Sequence, residues 1–130
     1  MTAHARGRFD VQLRPISADT EAPLARMSLD KQFHGDLTGA SKGQMLSALS
    51  GAEGSAGYVA IERVEGELQG RHGTFLLQHF GLMRRGVGDL KIVVIPDSGT
   101  DQLAGLTGEL TIAIADGKHS YDLAYDLPTG

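Results

Sequence analysis

The chain has no cysteine and no tryptophan, only four prolines, and only three tyrosines and four phenylalanines in 130 residues. Without cysteine there is no disulfide framework, no thiolate metal site and no thiol nucleophile, so packing and hydrogen bonds alone must hold the fold. The aromatics are too few and too spread to form a stacking platform for nucleic acid. Basic charge is not in excess either: 12 Lys and Arg stand against 16 Asp and Glu, and the cations are scattered. That distribution argues against nucleic acid or an anionic membrane as the main partner. No apolar run approaches the ~18 residues of a helical membrane span, and the first residues, MTAHARGRFDVQL, lack the apolar stretch of a secretory signal. The expectation is a soluble, cytoplasmic protein.

What the chain does have is glycine, 18 of them. Each interior helical glycine costs about 1 kcal/mol relative to alanine, whereas turn-rich sheets accept it. A single domain over residues 1–130 is expected, and a domain of this size buries about two-thirds of the surface of its unfolded chain.

Alternation with period two, the mark of a strand with one buried face, runs through most of the sequence. Gly7, Phe9, Val11 and Leu13 alternate with polar residues up to Pro15, and residues 15–23 read as a loop. Leu24–Thr38 reads as one long strand with Met27, Leu29, Phe33 and Leu37 on its apolar side, where Lys31 is the one charge, and with a turn at Thr38-Gly39-Ala40. Residues 41–50 read as a strand, with a short helix as the alternative because Met45, Leu46 and Leu49 also share a helical face. Residues 57–81 form a hairpin bending between Glu67 and His72, and a glycine-flanked basic turn, LMRRGVG, follows. A β-branched strand over Asp89–Ile95 leads to a turn cluster, PDSGTDQ, and then to a strand over Leu103–Ala115 with a bend or bulge at Gly105 and Gly108. Asp116-Gly117 is a two-residue hairpin signal, and the last strand alternates through His119, Tyr121, Leu123 and Tyr125.

Eight strands with short consecutive connections favour an antiparallel meander. Eight is also the number at which a barrel closes around an interior that side chains fill or that holds one small ligand. The fold class read from the sequence is therefore all-β, a closed antiparallel eight-stranded meander barrel.

The hairpin at 57–81 puts Tyr58 and Glu62 on one strand's face and Phe75, Leu77 and His79 on its partner's, so oil and titratable groups share a surface. If that face lines the interior, burial opposes ionisation of Glu62, which becomes a candidate acid, base or hydrogen-bonding group; its alternative role is to fix the register. His79 and His119 are the groups suited to proton transfer near neutral pH. Glu62 and His79 are the catalytic candidates, and Tyr58, Glu62, Phe75, Leu77, His79, His119 and Tyr121 the ligand-binding ones. A metal site from His72, His79, His119 and Glu62 has no supporting spacing, and no metal or cofactor is expected. PDSGTDQLAGLTG lacks the lysine and helix of a phosphate cradle, and its Ser98 and Thr100 are expected to bond local backbone.

From GYVAIERVEGELQGRHGTFLLQHFG through IPDSGTDQLAGLTG to KHSYDLAYDL the chain resembles a bacterial family of small proteins, domain-of-unknown-function family 3224. The resemblance runs from Gly7 to Tyr125. It rests on Tyr58, Glu62, Gly66, Gly70, Arg71, Gly73, Phe75, His79, Gly81, Pro96, Ser98, Gly99, Thr100, Leu103, Gly105, Gly108, His119, Tyr121 and Tyr125. It implies a barrel like that of plant allene oxide cyclase that tends to self-associate, and no known activity, because fold does not carry function.

The leading expectation is a binding barrel for a small apolar or amphipathic molecule, held among Phe9, Val11, Phe33, Phe75, Leu77, Ile112 and Tyr121 and oriented by Glu62, His79 and Tyr58. The alternative is an isomerase or cyclase in which Glu62 or His79 moves a proton, and Glu62→Gln should then spare binding but abolish turnover. A third reading, a structural or oligomerisation module, requires a filled interior.

Overall fold

A computed structural model describes residues 2–16 and 23–128. Its eight strands are β1 (Ala3–Pro15), β2 (Leu24–Gly35), β3 (Leu37–Leu49), β4 (Ala56–Leu68), β5 (Arg71–Arg84), β6 (Val87–Val94), β7 (Thr107–Ala115) and β8 (Lys118–Asp126), with one 3-10 turn at Asp101–Leu103. Each strand pairs with the next, and β8 returns to β1, closing an antiparallel barrel in meander order. Residues 41–50 lie in β3 but for Ser50, which follows it, and they are not helical. The loop read at 15–23 lies, except for its ends, outside the described residues. No helix among the described residues is long and apolar enough to cross a membrane.

Tight turns enforce the meander. Gln69-Gly70, Arg85-Gly86 and Asp116-Gly117 each place two consecutive residues at positive φ, the backbone whose twist suits a two-residue hairpin. The strand read across Leu24–Thr38 is in fact two. The chain reverses at Gly35 and Asp36, with Gly35 at φ +105°, and Thr38-Gly39-Ala40 lies inside β3. The alternation hides this corner because Gly35 and Leu37 fall on the inward parity of both strands. Tyr121 pins it from within: its hydroxyl accepts the Leu37 N–H at 2.9 Å and lies 2.9 and 3.0 Å from the carbonyls of His34 and Leu37.

The other revision is at residues 95–106. Leu103 belongs to the 3-10 turn, and β7 starts only at Thr107. Because β6 ends at Val94, the first half of β5 has no strand on that side. Three side chains spaced two apart serve in its place: the N–H groups of His72, Thr74 and Leu76 donate to Gln102 Oε1, Thr100 Oγ1 and Ser98 Oγ at 2.8, 3.0 and 3.0 Å. The same segment drives Leu103 and Leu106 into the end of the barrel, where both are fully buried. They join Leu37, Leu68, Phe75, Leu123 and Tyr125 in one apolar cluster.

Among the described residues the opposite end has no such plug. There the inward positions of β1, β5, β6 and β7 carry Leu13, Met83, Leu90 and Ile114, which are 44–66% exposed. The β6–β7 seam is also short, with only Ile92↔Leu110 and Val93↔Glu109 in register. As far as the described residues go, the barrel is therefore closed and packed at one end and open at the other.

Candidate functional site

Between the two halves lies a buried polar network. Glu62 on β4 is fully buried, and Lys31 on β2, Ser41 on β3 and His79 on β5 are 4%, 2% and 4% exposed. Lys31 Nζ donates to Glu62 Oε2 at 2.9 Å, His79 Nε2 reaches the same oxygen at 2.6 Å, and Ser41 Oγ donates to Oε1 at 2.8 Å. Tyr58 Oη lies 3.2 Å from His79 Nδ1. The Lys31 ammonium also sits 5.0 and 5.9 Å from the ring centres of Phe9 and Phe33, whose faces attract a cation. Among the described residues no buried side-chain nitrogen or oxygen lacks a partner, as a charge taken out of water requires.

Two missing side chains make room for this arrangement. Gly43 pairs with Glu62, and a Cβ there would fall 2.6 Å from the Glu62 Cα. Gly81 pairs with Tyr58, and a Cβ there would fall 2.2 Å from the ring, which lies over the bare glycine.

Burial pushes the Glu62 carboxyl up, but the His79 hydrogen bond and the Lys31 charge outweigh it and hold Glu62 below the usual carboxylate range. Burial, then the negative charge of Glu62, push the Tyr58 hydroxyl up to about 12. The network is thus an ionised Glu62 accepting from its neighbours and a protonated Tyr58. With the His79 proton on Nε2, facing the carboxylate, Nδ1 accepts from Tyr58, and donors line up from Tyr58 through His79 to Glu62. Such a chain can move a proton between its outer and inner ends.

Tyr58 is the half-buried outer end. It lines a cavity of about 400 Å³ in the open mouth, together with Met45, Ser47, Ala56, Met83 and Leu90 among others. The volume falls within the ~300–1,000 Å³ of small-molecule sites. Glu62 and His79 lie beneath Tyr58 and do not line it. Phe75, Leu77 and Tyr121 are in the packed core, whereas His119 is half-buried on β8, its ring 5.2 Å from that of Phe9. His72 is exposed on β5, and among the described residues no three His, Cys, Asp or Glu side chains gather as a metal site.

Sequence reasoning singled out Tyr58, Glu62 and His79 as a group, and the structure joins them by hydrogen bonds. It did not count Lys31 and Ser41 as site residues. For Lys31 the signal was present, a lone charge on the apolar parity of its strand.

The sequence profile of the family described as "Protein of unknown function (DUF3224)" matches residues 5–125. The chain belongs to this family. A crystal structure of a DUF3224 protein of unknown function from Shewanella oneidensis MR-1 is 44% identical, superposes with a TM-score of 0.94, and aligns over 100% of both chains. No curated protein matches the chain. For this DUF3224 protein the comparisons therefore supply fold and kinship, and its chemistry has to come from the site.

Proposed function

We propose that this DUF3224 barrel binds a small, mainly apolar molecule in its open mouth, with the Tyr58 hydroxyl meeting the ligand's polar group. The observation that carries this reading is the 400 Å³ cavity with its methionine and leucine walls and Tyr58 beside the buried network. A filled interior, as a purely structural module requires, describes only the closed half. Titration with the neutral fluorophore phenylnaphthylamine tests the reading. Saturable binding that Leu90→Trp weakens at least about tenfold by filling the cavity supports it. Absence of binding, or binding indifferent to Leu90→Trp, overturns it.

A second reading rests on the ordered chain from Tyr58 through His79 to Glu62. It is proton transfer on a bound carbonyl compound, as an isomerase performs, with Tyr58 as the group in contact. Incorporation of deuterium from solvent at the α-carbon of a ketone, lost in His79→Gln, is its signature. Glu62→Gln is the wrong test, because it also leaves the Lys31 charge buried without its counter-ion.

A further inference from the structure

The outer face of β2–β5 carries six large apolar side chains that a barrel wall does not need. Leu24, Leu46, Val59, Ile61, Phe80 and Leu82 point away from the core, each 40–53% exposed. Strand register makes them contiguous. One row runs Arg26, Leu46, Val59, Phe80, Lys91, and the next runs Leu24, Ala48, Gly57, Leu82, Asp89. Beside them a hollow of about 670 Å³ lies on the same face, floored by Val59, Ile61 and Leu76. An apolar patch on the order of 500 Å² is at the upper end of what a monomer shows. A standard interface takes roughly 800 Å² from each partner, with an apolar centre inside a polar rim, and this patch has the make-up of such a centre.

We infer that this face is the two-fold interface of a homodimer. A second copy fits for three reasons. A sheet face is the natural cover for another sheet face. The rim carries both signs of charge, as a self-complementary surface must. A two-fold axis lying along the two rows and between them sets Phe80 against Leu82 of the second copy, and Lys91 against Asp89 of the second copy. Gly57 and Leu82 border both this face and the open mouth, so the second copy stands at the rim of the cavity.

Sedimentation velocity over roughly 1 µM to 1 mM tests the inference. The wild type is expected to sediment as a dimer. Val59→Lys and Phe80→Lys, with unchanged far-UV circular dichroism, should raise the dimer dissociation constant at least about 100-fold, while Ile114→Lys, exposed but off this face, should not. Lys91→Asp should weaken the dimer, and adding Asp89→Lys should restore it. A second measurement needs no variant: in the wild type, under conditions where it sediments as a dimer, a soluble paramagnetic agent should broaden the Ile114 methyl signals, which are off this face, far more than those of Val59 and Ile61. A monomer throughout, a dimer that survives both face substitutions, or Val59 and Ile61 methyls broadened as strongly as those of Ile114 overturns the inference.

Discussion

Towards the Gln69-Gly70 turn the inward side chains of the barrel are fully buried; towards the Arg85-Gly86 turn the same strands, with the same alternation, leave theirs half in solvent. Strand geometry does not explain the contrast, since side chains alternate along the whole length of each strand. The closed half is sealed by residues outside the strands, Leu103 and Leu106, and by Tyr121 holding the corner at Leu37. Among the described residues the open half receives no such insertion. Alternation decides which side chains face inward, and the connecting segments decide whether that interior is filled. Glu62 and its partners stand at the boundary, dry enough to require full pairing and one side chain away from the mouth.

The largest expected effect breaks this boundary. Glu62→Ala strips Lys31 and His79 of their shared acceptor and should cost about 3–5 kcal/mol in urea unfolding. Replacing Lys31 and Glu62 together by methionine should recover most of that, since no charge is then stranded. Next comes the contrast itself: Leu103→Ala in the closed half should destabilise by about 2–5 kcal/mol, and Ile114→Ala in the mouth by no more than about 0.5 kcal/mol. Tyr121→Phe, which frees the Leu37 N–H from its buried partner, should cost about 1–3 kcal/mol.

The smallest effect is on pH dependence. Glu62 titrates lower folded than unfolded, so the unfolded chain binds more protons in acid. Its contribution is complete above the ordinary carboxylate range and is lost as pH falls through the folded value. Asp122, held down first by its hydrogen bond to His4 and then by that to Arg6, adds in the same direction. The double methionine variant should therefore flatten, not abolish, the acid limb of a plot of stability against pH. A limb unchanged in that variant would remove Glu62 from this role.

Much of this was legible in the chain. Period-two runs, Asp116-Gly117 and the glycine-rich turns were enough for eight strands and their inward faces, and with them Tyr58, Glu62 and His79 on one surface. The corner at Gly35 was not, because its parity continues across the turn. Nor was the emptiness of the mouth, since Leu90 and Ile114 look in sequence like Ile92 and Leu110, and only three-dimensional closure separates them. Lys31 showed the reverse: its position was noticed, but its partner lies 31 residues away and no local pattern points to it.

The spacing of Ser98, Thr100 and Gln102 has a consequence for how the barrel breathes. The amides of His72, Thr74 and Leu76 are held by side-chain oxygens of an irregular segment rather than by a neighbouring backbone. Their hydrogen exchange therefore times the lifting of that segment and not the separation of strands. The three amides should exchange as one group, faster than those of the β4–β5 ladder, and slow or quicken together whenever the floor of the barrel is tightened or loosened.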